Sequence, residues 1–163
     1  MSRPARETEF IESAIASTGR LTDGLERSLA AVRPLVPISP AGVARMSPAE
    51  ADAVDLLLKR FETAFEAGRR LFRAALLVWD EPQDGLTFID LLNRAEKIGV
   101  LQSANLWRDI GRTRNSVVHE YAMNPDDAAV AINAAHAHAG AALELLRQAL
   151  AAIAQRYPAE PSS

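Results

Sequence analysis

Apolar residues recur every three or four positions along almost the whole chain, the period of an α-helix, and few stretches alternate as a strand would. The first such run covers about Glu7 to Val32 and would bury Phe10, Ile11, Ala14, Ile15, Leu21, Leu25, Leu29 and Val32. Pro34, Pro37, Pro40 and Gly42 end it in a loop. Ser47-Pro48-Ala49-Glu50 predicts a fresh start, with a serine N-cap, proline in the first turn and glutamate closing a capping box. A long helix then runs to about Trp79, its buried side carrying Leu56, Leu57, Phe61, Phe65, Leu71, Phe72, Ala75 and Leu76.

Asp80-Glu81-Pro82-Gln83-Asp84-Gly85 reads as a turn. A short helix follows from Thr87 to about Ile98, stopped by Gly99, and Ser103 caps a fourth from about Ala104 to Ala122. Asn124-Pro125-Asp126-Asp127 opens a fifth that extends to about Arg156, its many alanines letting neighbours approach closely. The pattern predicts an all-α, up-and-down bundle of about five helices. Residues 1–47 form a helix and proline-rich loop packing on a core at 48–157, and 158–163 are a loose tail.

Composition narrows the function classes. With 163 residues, 48% hydrophobic and 24% charged, the chain is long enough for one domain with a real core. The absence of cysteine excludes disulfides, thiolate catalysis and cysteine-ligated zinc. No apolar signal core follows Met1, and no run approaches membrane-spanning length, so a cytoplasmic protein without a membrane partner is expected. A net charge of −3 argues against blanket coating of nucleic acid and leaves local contact through a few arginines.

Chemistry concentrates on the fourth helix. Trp107, Ile110, Arg114, Val117 and Tyr121 follow i, i+3, i+7, i+10 and i+14, one continuous seam in which a single arginine interrupts apolar and aromatic residues. Arginine on such a stripe needs a partner or a ligand, because burying its charge alone is costly. Arg108, Arg112, Asn115 and His119 form a second stripe. Arg114 and His119 lie roughly 140° apart around an ideal helix. They meet only if the helix distorts, if the arginine stem swings round, or if two copies of the helix face each other in a dimer.

Arg114-Asn115, His119 and Tyr121 together resemble the Arg-x4-His-x-Tyr signature of the HEPN superfamily, in particular its HepT-like ribonuclease toxins. Arg60-Phe61-Glu62, Trp107 and the Asn124-Pro125-Asp126-Asp127 run agree, so the resemblance covers about Asp55 to Arg147. It implies a HEPN-like bundle and metal-independent RNA cleavage, with no cofactor and no metal ligands. The ribose 2′-hydroxyl would attack the adjacent phosphate while His119 handles the proton, Arg114 neutralises the phosphate, and Asn115 orients the histidine or donates a hydrogen bond to the phosphate. Arg69, Arg73, Arg108 and Arg112 are candidate RNA contacts if their faces border one cleft. The resemblance further implies a homodimer and a minimal nucleotidyltransferase (MNT-type) antitoxin that adds AMP to Tyr121, placing phosphate charge beside Arg114.

Each residue also has an ordinary explanation. Tyr121 suits a core position with its hydroxyl at the rim, Arg114 a salt bridge to Glu62 or Glu66, and His119 the negative end of a helix. Arg69, Arg70 and Arg73 could be a solvated face, and Phe61, Phe65 and Phe72 are explained by core packing. His136 and His138, two apart on a helix, point to different sides and cannot share a metal. Two further readings stand beside the nuclease. One is a non-catalytic HEPN subunit that binds the nucleotidyltransferase or its nucleotide substrate, and the other is a plain dimeric scaffold.

Overall fold

The computed structural model describes residues 3–121 and 124–158, with the backbone alone at 118–120. Among the described residues six α-helices follow in order: α1 (Ala5–Val32), α2 (Pro40–Ala44), α3 (Pro48–Val78), α4 (Phe88–Lys97), α5 (Ala104–Glu120) and α6 (Pro125–Arg156). No strand occurs among the described residues, and the chain is the all-α bundle its periodicity predicts. Ser47 accepts from the Glu50 N–H at 3.1 Å while the Glu50 carboxylate accepts from the Ser47 N–H at 3.1 Å, the expected box at the start of α3. Thr87 and Asp90 form a second box at α4. Ser103 caps α5, Asn124 caps α6, and Gly99 ends α4 with a φ of 79°.

Two expectations change. The proline segment is not loop throughout: Ser39 accepts from the Gly42 N–H and Pro40 occupies the first turn, so the short α2 forms. Asn133 of α6 ties down the approach to it, accepting from the Ile38 N–H at 2.8 Å and donating to the Ile38 carbonyl at 2.9 Å. Leu56 is not a core residue and is 45% exposed. The buried line of α3 runs through Val54, Leu57, Phe61, Ala64, Gly68, Leu71 and Ala75, and Leu56 sits about 100° around the helix from Leu57. Of the loose tail expected at 158–163, residues 159–163 lie outside the described ones.

The longest interface joins α1 and α3, and Ile11, Leu25, Leu29 and Val32 of α1 enter the same continuous core as the α3 side chains. Arg60 of α3 crosses this interface, donating to the Gly24 carbonyl at 2.9 Å and to the Ser28 hydroxyl at 3.0 Å. The alanine-rich α6 touches α1, α2, α3 and α5. Its histidines diverge as their spacing requires: His136 Nε2 lies 3.2 Å from the Leu29 carbonyl of α1, whereas His138 hydrogen bonds with Thr113 of α5.

Trp107 fixes α5 on α3. Its buried indole stacks on Phe65 (centroids 4.8 Å apart, planes at 12°) and meets Phe72 edge-on at 5.1 Å. Gly68 makes this possible, because a Cβ there would stand 2.3 Å and 2.6 Å from two indole carbons. Gly68→Ala therefore overpacks the core and should lower stability by about 1–3 kcal/mol. Gly140, inside α6, has nothing within 4 Å of a Cβ. Gly140→Ala should raise stability by about 0.5–1 kcal/mol. Urea denaturation of the two variants beside the parent checks both signs.

Candidate functional site

Next to the Trp107 contact, α3, α4 and α5 part to leave a cleft of about 560 Å³. Phe65, Glu66 and Arg69, within one turn of α3, form one wall, and Phe88 from the first turn of α4 forms an end. The facing wall is α5, which contributes Arg108, Gly111, Arg112, Arg114 and Asn115. Gly111 keeps that wall low, since a Cβ there would lie 2.9 Å from the Phe65 ring. Four arginines thus share the wall with one glutamate, in a chain whose net charge is −3.

The four arginines are held differently. Arg69 lies over the Phe88 ring at 5.3 Å, Arg108 donates to Asn105, and Arg112 pairs with Asp109 one turn earlier on its own helix. Arg114 alone reaches across helices to a carboxylate: Nη2 is 2.6 Å from Glu66 Oε1 and 3.7 Å from Glu62 Oε1. Its Nη1 donates to Asn115 Oδ1 at 3.1 Å, and the guanidinium lies 5.7 Å from the centre of the Phe65 ring. The salt bridge that sequence offered as the ordinary explanation of Arg114 is therefore present, to both glutamates. Its seam neighbours Trp107, Ile110 and Val117 are buried, and Arg114 sits half-buried among them.

Five of the candidate residues meet in this cleft: Arg69, Arg108, Arg112, Arg114 and Asn115. Arg73 does not line it, lying exposed one turn further along α3. The His119 side chain lies outside the described residues. Its backbone belongs to α5, which stays α-helical to Glu120 with the Tyr121 N–H bonded to the Val117 carbonyl at 3.1 Å. Of the three routes by which Arg114 and His119 could meet, distortion of the helix is thus not taken.

Tyr121 lies on the other side of Arg114, in a smaller hollow of about 260 Å³ that Arg114 and Glu62 also line. The Tyr121 hydroxyl donates to Asp55 Oδ1 at 2.9 Å. Partial burial, then the Asp55 hydrogen bond and charge, push its phenol up to about 12. Asp55 was missed from sequence, yet a signal existed: Asp55, Glu62 and Glu66 are seven and four apart, one acidic face of α3 opposite Arg114 and Tyr121. Among the described residues, no group of three or more His, Asp or Glu side chains is arranged to hold a metal, and no helix is long and apolar enough to cross a membrane. The chain matches no family model, no curated protein and no solved structure.

This pair of hollows therefore presents a cluster of arginines on one side and a partly buried phenol on the other. Because the folded state holds the phenol proton more tightly than the usual value of 10, that contribution to stability is complete below about pH 10 and is lost as pH rises toward 12. Asp55→Asn should lower the Tyr121 phenol without restoring it to 10, because burial, the largest cause, remains. Ultraviolet phenolate titration, with Tyr121→Phe subtracted to remove Tyr157, reads the shift directly.

Proposed function

We propose that this chain is a HEPN-type, metal-independent RNA endonuclease of the HepT-like kind, a homodimeric toxin neutralised when an MNT-type nucleotidyltransferase adds AMP to Tyr121. One observation carries the reading: Arg114, the arginine of the Arg-x4-His-x-Tyr signature, and Asn115 directly after it line the same cleft as Arg69, Arg108 and Arg112. A phosphodiester is the ligand that such a set of fixed cations fits. In the reaction the 2′-oxygen bonds to phosphorus as the 5′-oxygen leaves, producing a cyclic phosphate and a free 5′-hydroxyl. His119 takes or returns the proton, and Arg114 balances the negative charge that builds on the phosphate oxygens. Pairing of two α5 helices would supply His119 of one copy to Arg114 of the other, which lies well around the helix from the histidine of its own chain.

A second reading has its own support. Arg114 is already matched by Glu66 and Glu62, as it would be in a non-catalytic HEPN subunit that binds the nucleotidyltransferase or its nucleotide substrate. Inducing the wild-type protein in cells beside His119→Ala and Arg114→Ala, with total RNA examined on a gel, separates the two. The nuclease reading expects growth arrest and fragmented RNA from wild type. Cleavage should fall about 10²- to 10⁴-fold on loss of the histidine and about 10²- to 10³-fold on loss of the arginine. Intact RNA and normal growth with well-expressed wild type would transfer the assignment to the binding subunit.

A further inference from the structure

Of the four arginines in the large cleft, Arg114 is the one that pairs with a carboxylate of another helix among the described residues. Its partner Glu66 is the only carboxylate among the described residues of the cleft wall, whereas Glu62 lines the smaller hollow on the Tyr121 side. The Glu66 side chain is 60% exposed and the Arg114 side chain 24% exposed, so the bond between them spans the boundary between solvent and core. A carboxylate oxygen 2.6 Å from Nη2 takes a donor that a phosphate oxygen would otherwise use. The remaining cations are not withdrawn in this way. Arg108 bonds to a neutral amide, Arg69 covers an aromatic ring, and the partner of Arg112 lies on its own helix outside the cleft wall.

We propose that Glu66 is a competitive latch on Arg114: it occupies the guanidinium in the empty cleft and is displaced when the phosphate of an RNA strand enters. The inference rests on the cleft being an RNA site. Displacement is cheap, because a pair this open to solvent is weak and screened by salt. An incoming strand contributes phosphates to Arg69, Arg108 and Arg112 as well, and Arg108 and Arg112 stand one helical turn apart. The latch lowers the appetite of Arg114 for stray anions between turnovers. Glu62, at 3.7 Å, is a second carboxylate within reach when Glu66 lets go.

The test is a double-mutant cycle on the full chain, with folding checked by circular dichroism. The probe is 2′-O-methyl hexauridylate at low salt, which lacks the attacking hydroxyl and so reports binding alone. Arg114→Ala should weaken binding. Glu66→Gln should tighten it about two- to fivefold, the ordinary worth of an exposed ion pair. In the Arg114→Ala background, Glu66→Gln should lose most of that gain. Equal tightening in both backgrounds would show general charge repulsion and overturn the latch. Weaker binding by Glu66→Gln would make Glu66 an orienting residue and overturn it as well. Either result, with Arg114→Ala still impaired, leaves the RNA cleft standing. Absence of binding by all four proteins, or binding indifferent to Arg114→Ala, would overturn the RNA reading itself and the latch with it.

Discussion

The contact of Trp107 with Gly68 is the constraint from which the rest of the site follows. An indole lying where a Cβ would otherwise stand, stacked on Phe65 and edge-on to Phe72, seats α5 against α3 at Gly68. Seven residues later on the same face, two turns along, the side chain is Arg114, and it meets Glu66 and Glu62 because the register was set at Trp107. Phe65 belongs to both arrangements: one face of its surroundings is the indole, and the guanidinium of Arg114 lies near its ring. A shift of α5 would thus disturb the aromatic packing and the ion pair together.

Much of this was legible in the sequence because it depends on local chemistry. Ser47 with Glu50, Thr87, Ser103 and Asn124 mark helix starts by the donors their side chains satisfy, and Gly99 marks a stop by its positive φ. The pairing of Arg114 with Glu62 or Glu66 could be written down as an alternative, since an arginine within an apolar seam demands an anion. What escaped was non-local. The short helix at Pro40–Ala44 was hidden among prolines that argued for loop, although Ser39-Pro40 is itself a helix start, and its approach is held by Asn133 almost a hundred residues away. Leu56 looked like core because hydrophobicity alone cannot say which of two adjacent leucines faces inward.

The candidate site shows the same division. Arg108 and Arg112, one turn apart, could be assigned to a common face from spacing, and the packing brings Arg69 opposite them. Arg73 shares the helical face of Arg69 but falls one turn beyond the cleft, a matter of where α4 and α5 meet α3 that no periodicity encodes. Asp55 was invisible as a partner of Tyr121 because the two are separated by 66 residues and joined only by the packing of α5 on α3.

Arg114 forms part of the wall of both hollows. A guanidinium has a fixed set of N–H donors in one plane, so each donor committed to one side is withdrawn from the other. The two hollows are in this sense a seesaw on a single pivot. Anything that draws Arg114 toward Glu62 takes a donor from the large cleft, and ligands placed in both hollows would be coupled reciprocally through it. Such reciprocity requires no hinge and no movement of helices, only rotation about the bonds of one side chain.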